Sequence, residues 1–387
     1  MGGVFGLTSV WTLVAAGMLL ATVLGWAIVR LPRQQVSLAG AMIRQAVALL
    51  LSSILTVLLV GLALNRANDW YPTWSDLPGL GSTRVVVQDS PGPSEQIPPA
   101  ALAVGQATPL QSDPARNPAL SGYDPRSPQG QYLSVTIPGP DSGISQPALV
   151  WLPASYASHP ERFYPVVLAL HGAPGSPDTY RDQLQIGETL SSLTNDHAIR
   201  EAIVVAPTVF DGDQDGECVD GTTGPGPLKW ETYVDTDVRN WALANLRTVE
   251  DPGAWVTVGY SAGGFCAAMF PVRHPDHYAQ GVVLSGYFSP EFSPGKRYLP
   301  VGDPTYDLGR IVRQDTPPVA LFAYAARDDR SAMSALAAFS GAVAAPTTLT
   351  TQLQETGGHS MGVWAPGLHA GLQWLGTSAA QFAWTAS

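Results

Sequence analysis

The sequence predicts an α/β protein: a mostly parallel sheet of about eight strands flanked by helices, preceded by two transmembrane helices. Three observations carry this expectation. Two long uncharged apolar runs lie within the first 64 residues. A stretch rich in Pro, Ser, Gly and Gln follows them. From about residue 130 onward, short β-branched or apolar runs alternate with segments of helical spacing, the pattern of a sheet covered on both faces.

Residues 7–29 form the first uncharged run. At about 1.5 Å per residue it reaches roughly 34 Å, enough to cross a bilayer. Residues 46–64 form a second, just long enough. The first run has no basic residues before it, is long for a signal sequence and is followed by another span, so two membrane spans are expected rather than a cleaved leader. Arg30, Arg33 and Arg44 sit in or beside the intervening loop, whereas Arg66 stands almost alone after the second run. The positive-inside rule then predicts a multi-pass cell-membrane protein with a cytoplasmic loop and an extracytoplasmic C-terminal domain; the inverted topology is the alternative. Trp70, Tyr71 and Trp74 are expected at the outer interface.

Three regions follow: a membrane anchor over 1–64, an extracytoplasmic linker over 65–129, and a catalytic domain over 130–387. Within the linker, residues 85–87 read as a short strand. In the last region strands are expected at 132–137, 148–152, 166–170, 203–206, 255–259, 281–285, 319–324 and 348–354, with helical spacing over 234–246 and 331–343. Charged residues are only 13% of the chain, as suits a partly membrane-embedded protein. A net charge of -11 with two lysines, Lys229 and Lys296, argues against nucleic acid and against anionic lipid as an electrostatic partner. Cys218 and Cys266 can bridge in an oxidising compartment or remain two buried thiols.

Gly259-Tyr260-Ser261-Ala262-Gly263 is a G-x-S-x-G sequence. It follows a strand-like run and precedes a helix-like one, the strand–turn–helix context of a nucleophile elbow. Ser261 is therefore the candidate nucleophile, and it needs a base held by a carboxylate. His274 and His277 come too soon after it. His359, in a glycine-bearing loop after the last strand, is the candidate base, and His369 falls in a closing helix. The acid is expected just after the preceding strand, at Asp328, with Asp329 as competitor; the one not used would cap the next helix. Ala262, directly after the nucleophile, and Ala173, before the donorless Pro174, are the candidate oxyanion-hole N–H groups. His171 in the same loop reads as structural. Asp211-Gly212-Asp213-Gln214-Asp215-Gly216 resembles the opening of a calcium loop, but its twelfth position is Thr222 rather than Glu, so a solvated acidic loop is expected. No metal and no cofactor are assigned.

From about residue 130 the chain resembles the esterase D and mycolyltransferase branch of α/β-hydrolases. Lys229-Trp230-Glu231-Thr232-Tyr233 is similar to that branch's K-W-E-T-F segment. His274-Pro275-Asp276-His277-Tyr278, with Leu284-Ser285-Gly286-Tyr287, resembles its Y-P-x-x-F … L-S-G-F stretch. Gly358-His359-Ser360 with Trp364 resembles the region around its catalytic histidine. The resemblance supports Ser261, His359, Ala173 and Ala262 in their roles, and implies esterase or acyltransferase chemistry without a cofactor. The acid here is Asp where mycolyltransferases carry Glu. Residues 174–178 also lack the arginine that helps hold trehalose, which argues against that acceptor.

The expected activity is hydrolysis of a carboxylic ester, envelope- or lipid-linked in view of the anchor. Transfer of the acyl group to a sugar or lipid alcohol is the nearest alternative. A non-catalytic binding module with the same fold is a further alternative, and a peptidase ranks below the esterase.

Overall fold

The structure is a computed structural model; it describes residues 7, 9–29, 37–68, 85–89, 98–210, 216–224, 228–292 and 296–385. Trp70, Tyr71, Trp74, Arg30, Arg33 and Asp211–Asp215 therefore lie outside the described residues.

Helices α1 (Val10–Val29) and α2 (Leu38–Asn68) are both long and apolar enough to cross a membrane. They touch through Leu7, Ala16 and Leu62, with Leu13 and Leu59 alongside. Most of their other large apolar side chains face outward, as in Ile28, Leu49 and Val57. Helix α2 outruns the apolar stretch 46–64 at both ends. Hydropathy marks the bilayer-matching portion, whereas the hydrogen-bonded helix continues through Ala39–Gln45, which contains no proline.

Nine strands form one sheet: β1 (Val85–Asp89), β2 (Gln131–Pro138), β3 (Ser145–Leu152), β4 (Val166–Leu170), β5 (Ile203–Pro207), β6 (Trp255–Tyr260), β7 (Gln280–Leu284), β8 (Ala320–Ala326) and β9 (Thr348–Gln354). Their order is β1-β9-β8-β7-β6-β4-β5-β3-β2. The six strands from β9 to β5 run parallel, while β2, β3 and β1 join antiparallel at the two edges. All eight expected strands of the C-terminal region are present. The ninth, β1, comes from the linker and pairs with β9.

Central strands β4 and β6 are buried along their whole length, so they read as continuous apolar runs rather than alternating ones. Two apolar layers result. Helices α3 (Ile186–Asn195) and α7 (Met361–Ser378) cover one face through Leu190, Leu193, Leu368 and Leu372. On the other face lie the helical stretch 230–245, α4 (Ala262–Arg273), α5 (Leu308–Gln314) and α6 (Arg330–Ser340), packing Val238, Phe265, Met269 and Leu336 inward. The expected helix over 234–246 begins earlier and contains a π-helical stretch, Tyr233–Val238.

Whether the stretch 65–129 packs on the rest of the chain is not legible in the sequence, and part of it does. Residues 100–123 are bound to the body as a strap. Gln111 Nε2 donates to Leu243 O at 2.7 Å and to Leu246 O at 3.0 Å, and Leu120 is buried in the main apolar cluster. Fully buried Arg247 donates to Gln111 O at 2.8 Å while its guanidinium lies 3.7 Å from the centre of the Tyr156 ring. Low apolar periodicity conceals this, because the strap is held by side-chain-to-carbonyl bonds rather than by an amphipathic face.

Candidate active site

Strand β6 ends at Tyr260 and α4 begins at Ala262, leaving Ser261 alone at the turn with φ 56 and ψ -124. An L-residue there is strained, and the surroundings hold it. Ser261 N–H donates to Leu284 O at 2.9 Å, tying the turn to the end of β7. The flanking glycines are steric necessities: a Cβ on Gly259 would lie 1.9 Å from Gly263 O, and one on Gly263 would lie 2.1 Å from Leu170 O. That crowding presses the start of α4 against the end of β4 and lifts the serine above the sheet.

His359 lies in the loop after β9, where Gly357 and Gly358 both adopt positive φ. Its Nε2 is 2.8 Å from Ser261 Oγ and its Nδ1 is 2.7 Å from Asp329 Oδ2. The carboxylate against the histidine is thus Asp329, and the expectation of Asp328 is corrected. Strand β8 runs two residues past the expected end at 324, to Ala326, and Arg327 N–H still bonds Gln354 O, so the chain leaves the sheet later than expected. Asp329 then turns inward as the N-cap of α6, its Oδ1 accepting from Ala332 N at 3.2 Å, and is 2% exposed. Asp328 braces the histidine loop instead, accepting from Gly357 N at 3.3 Å and Gly358 N at 2.9 Å. The two expected roles, histidine partner and helix cap, fall on the same residue.

Trp364 stands edge-on to His359, ring centres 5.0 Å apart, and stacks on Tyr260 at 4.7 Å. This ring wall was not assigned a role from sequence; the signal was the i+5 spacing of Trp364 from His359 across a loop-to-helix junction. His369 lies exposed on α7, away from the chemistry.

The loop after β4 runs beside the elbow, since a Cβ on Gly172 would meet the Tyr260 ring at 2.7 Å. Among the described residues, the N–H groups of Ala173 and Ala262 have no acceptor within the protein. His171 anchors this loop. Its Nε2 accepts from Val209 N at 3.2 Å, its Nδ1 lies 3.0 Å from Gly172 O, and its ring meets Phe210 edge-on. Burial pushes its pKa down to about 4, so the imidazole is neutral at pH 7.

Cys218 and Cys266 form a disulfide, Cα–Cα 5.8 Å, tying the loop after β5 to α4 one turn beyond Ser261. Both Glu217 and Cys218 have positive φ, and Tyr287 OH donates to Glu217 at 2.6 Å while stacking on Phe265.

An esterase family model (Putative esterase) matches residues 145–374, more than half of the chain. The chain belongs to the esterase family. The matched stretch runs from β3 into α7 and contains Ser261, Asp329 and His359. This esterase-family chain is 26% identical over 266 residues to an uncharacterised protein of Corynebacterium glutamicum, covering 63% of this chain and 60% of that one. It is 30% identical over 138 residues to an esterase of Mycobacterium tuberculosis, covering 35% and 28%. The chain thus spans 60% of the length of the first of these curated relatives and 28% of the second. Among solved structures, a ferulic acid esterase superposes with a TM-score of 0.55 at 21% identity, over 64% of this chain and 97% of that one. An S-formylglutathione hydrolase from Agrobacterium tumefaciens superposes with a TM-score of 0.55 at 16% identity, over 64% and 95%. At these identities the likeness is one of fold, the α/β-hydrolase fold.

Proposed function

We propose that this protein is a membrane-anchored serine esterase whose catalytic unit faces the extracytoplasmic side. The observation that carries the catalytic reading is the unbroken chain from Asp329 through His359 to Ser261, with contacts of 2.7 and 2.8 Å. Within it, His359 Nε2 takes the proton from Ser261 Oγ as Oγ bonds to the ester carbonyl carbon. Ala173 and Ala262 N–H groups meet the oxyanion. Collapse of the tetrahedral species breaks the bond to the alcohol oxygen, which leaves with the proton from Nε2. Water then attacks the acyl-enzyme, giving its proton to Nε2, and the acid departs as Ser261 is reprotonated.

The membrane reading is supported by α1 and α2, and the outward orientation by the arginines between the spans and by a disulfide, which persists in oxidising compartments. We assign a carboxylic ester presented at the envelope or by a lipid as substrate, because an anchored enzyme meets such esters at high local concentration. The catalytic unit extends back through the strap to about residue 98 rather than starting at 130.

Full-length protein in detergent tests this with a p-nitrophenyl ester. Wild type is expected to turn over, and Ser261→Ala to lose at least about a thousandfold in kcat. A folded Ser261→Ala variant that hydrolyses the ester as fast as wild type defeats the assignment.

A further inference from the structure

At the far end of α4 from Ser261, three side chains from two elements converge. Asp235 projects from the π-helical stretch Tyr233–Val238, and His274 and His277 follow the end of α4. His277 Nδ1 is 2.9 Å from Asp235 Oδ1 and His274 Nδ1 is 3.6 Å from Asp235 Oδ2. The two imidazole planes are nearly parallel, 12° apart. One ligand atom from each of the three residues can be chosen so that all lie within 4.8 Å of one another.

From this geometry we infer that Asp235, His274 and His277 form a binding site for a divalent transition-metal cation, of the Zn2+ type. Two nitrogens and one carboxylate oxygen on one side, with solvent on the other, is a three-ligand set with an open fourth position. Tetrahedral metal–ligand bonds of about 2.0–2.2 Å set ligand atoms roughly 3.3–3.6 Å apart, so the Asp235–His277 pair at 2.9 Å opens slightly to admit an ion while the Asp235–His274 pair at 3.6 Å is already near that spacing. Three further features favour a cation. His274 Nε2 is 2.8 Å from Glu231 Oε1, the carboxylate–imidazole–metal arrangement that fixes a ligand's tautomer and raises its basicity. Glu231 and Asp235 supply two buried carboxylates, while Arg273, at 2.7 Å from Glu231, supplies one guanidinium. Asp235 lies within the π-helical stretch, and such turns recur at functional sites. His274 and His277 side chains are 25% and 32% exposed, so an ion has access.

The site is distinct from the catalytic one. Helix α4 has 12 residues between them, or roughly 18 Å at the usual rise. A bound ion would staple the stretch 230–245 to the end of α4, bracing the helix that carries Ser261 at its other end. From sequence, the His-x-x-His spacing was visible, but its third ligand lies some forty positions earlier.

The test uses full-length protein stripped with EDTA, exposed to ZnCl2 and desalted, with metal content read by mass spectrometry and melting temperature read in parallel. Wild type is expected to retain Zn2+ and to melt higher with it. His277→Ala and Asp235→Asn are expected to retain one equivalent less and to lose the metal-induced rise, while His277→Ala keeps ester turnover and melts lower without metal because buried Asp235 loses its contact at 2.9 Å. His359→Ala, which removes the imidazole–carboxylate pair beside Ser261, is expected to keep the equivalent. Zn2+ retention unchanged in His277→Ala, retention lost only in His359→Ala, or no retention by wild type would each overturn the site.

Discussion

Asp328 and Asp329 are adjacent, chemically identical and differently employed. Asp329 is nearly fully buried, with one oxygen on His359 and the other on the first turn of α6. In the proposed mechanism it holds the imidazole in the tautomer that accepts a proton at Nε2 and steadies the imidazolium once it forms. Asp328 reaches the same loop through the backbone N–H groups of Gly357 and Gly358. Asp329→Asn is therefore expected to lower kcat about a thousandfold to ten-thousandfold with little change in KM. Asp328→Asn keeps an acceptor oxygen and is expected to cost less than about tenfold. Steady-state kinetics of the two variants side by side decides the assignment, and the reverse ranking would return it to Asp328. The sequence confined the acid to this pair, because the end of β8 was legible. It did not choose between them, because a one-residue shift in where the chain leaves the sheet turns a side chain to the other face.

Among the elements, α4 carries the most constraint. Its first residue, Ala262, directly follows Ser261, Cys266 in its second turn is bridged to Cys218, and the C-terminal end meets Glu231 through Arg273 and His274. The bridge closes a loop spanning a sequence separation of 48. On the chain-entropy account this is about 4 kcal/mol, an upper figure because the unfolded state retains structure. The double variant Cys218→Ser/Cys266→Ser is expected to melt several degrees lower than the oxidised wild type. Reductant should shift only the wild type, and thermal melts with and without it check this. Ester turnover below the melting transition should survive, since Ser261 is also held by Leu284 O and by the glycine contacts. Equal melting temperatures for the two proteins would show that the bridge contributes nothing to stability.

Across the whole molecule, stability at low pH should carry the signature of buried His171. Its folded pKa, about 4, lies below the ordinary value of 6.5 because burial disfavours the charged ring. The unfolded chain therefore takes up the proton first. The contribution is fully present above pH 6.5 and is lost as pH falls toward 4, on the order of 3 kcal/mol in total. Chemical denaturation at stepped pH is expected to show stability falling through this window, with a shallower slope in His171→Asn. An identical slope in the variant would assign the loss to other groups. The strap over residues 100–123 acts at this scale too, closing the body through Gln111 and Arg247. A protein cut at residue 130 would leave Arg247 buried without one of its acceptors.

Sequence alone determined the α/β class, the eight C-terminal strands, the two apolar helices, the elbow at Ser261 and the histidine at 359. Each is written in local pattern: uniform apolar runs for buried parallel strands, uncharged runs for the spans, and glycines where a strand turns into a helix. Tertiary structure decided the rest, namely which aspartate meets His359, that β1 joins the sheet beside β9, that the linker is partly a strap, and that Asp235 meets His274 and His277. Those depend on contacts between residues tens of positions apart, and on side-chain direction at the last turn of a strand. Neither leaves a periodicity in the chain, because one residue of register or a single buried carbonyl is enough to settle them.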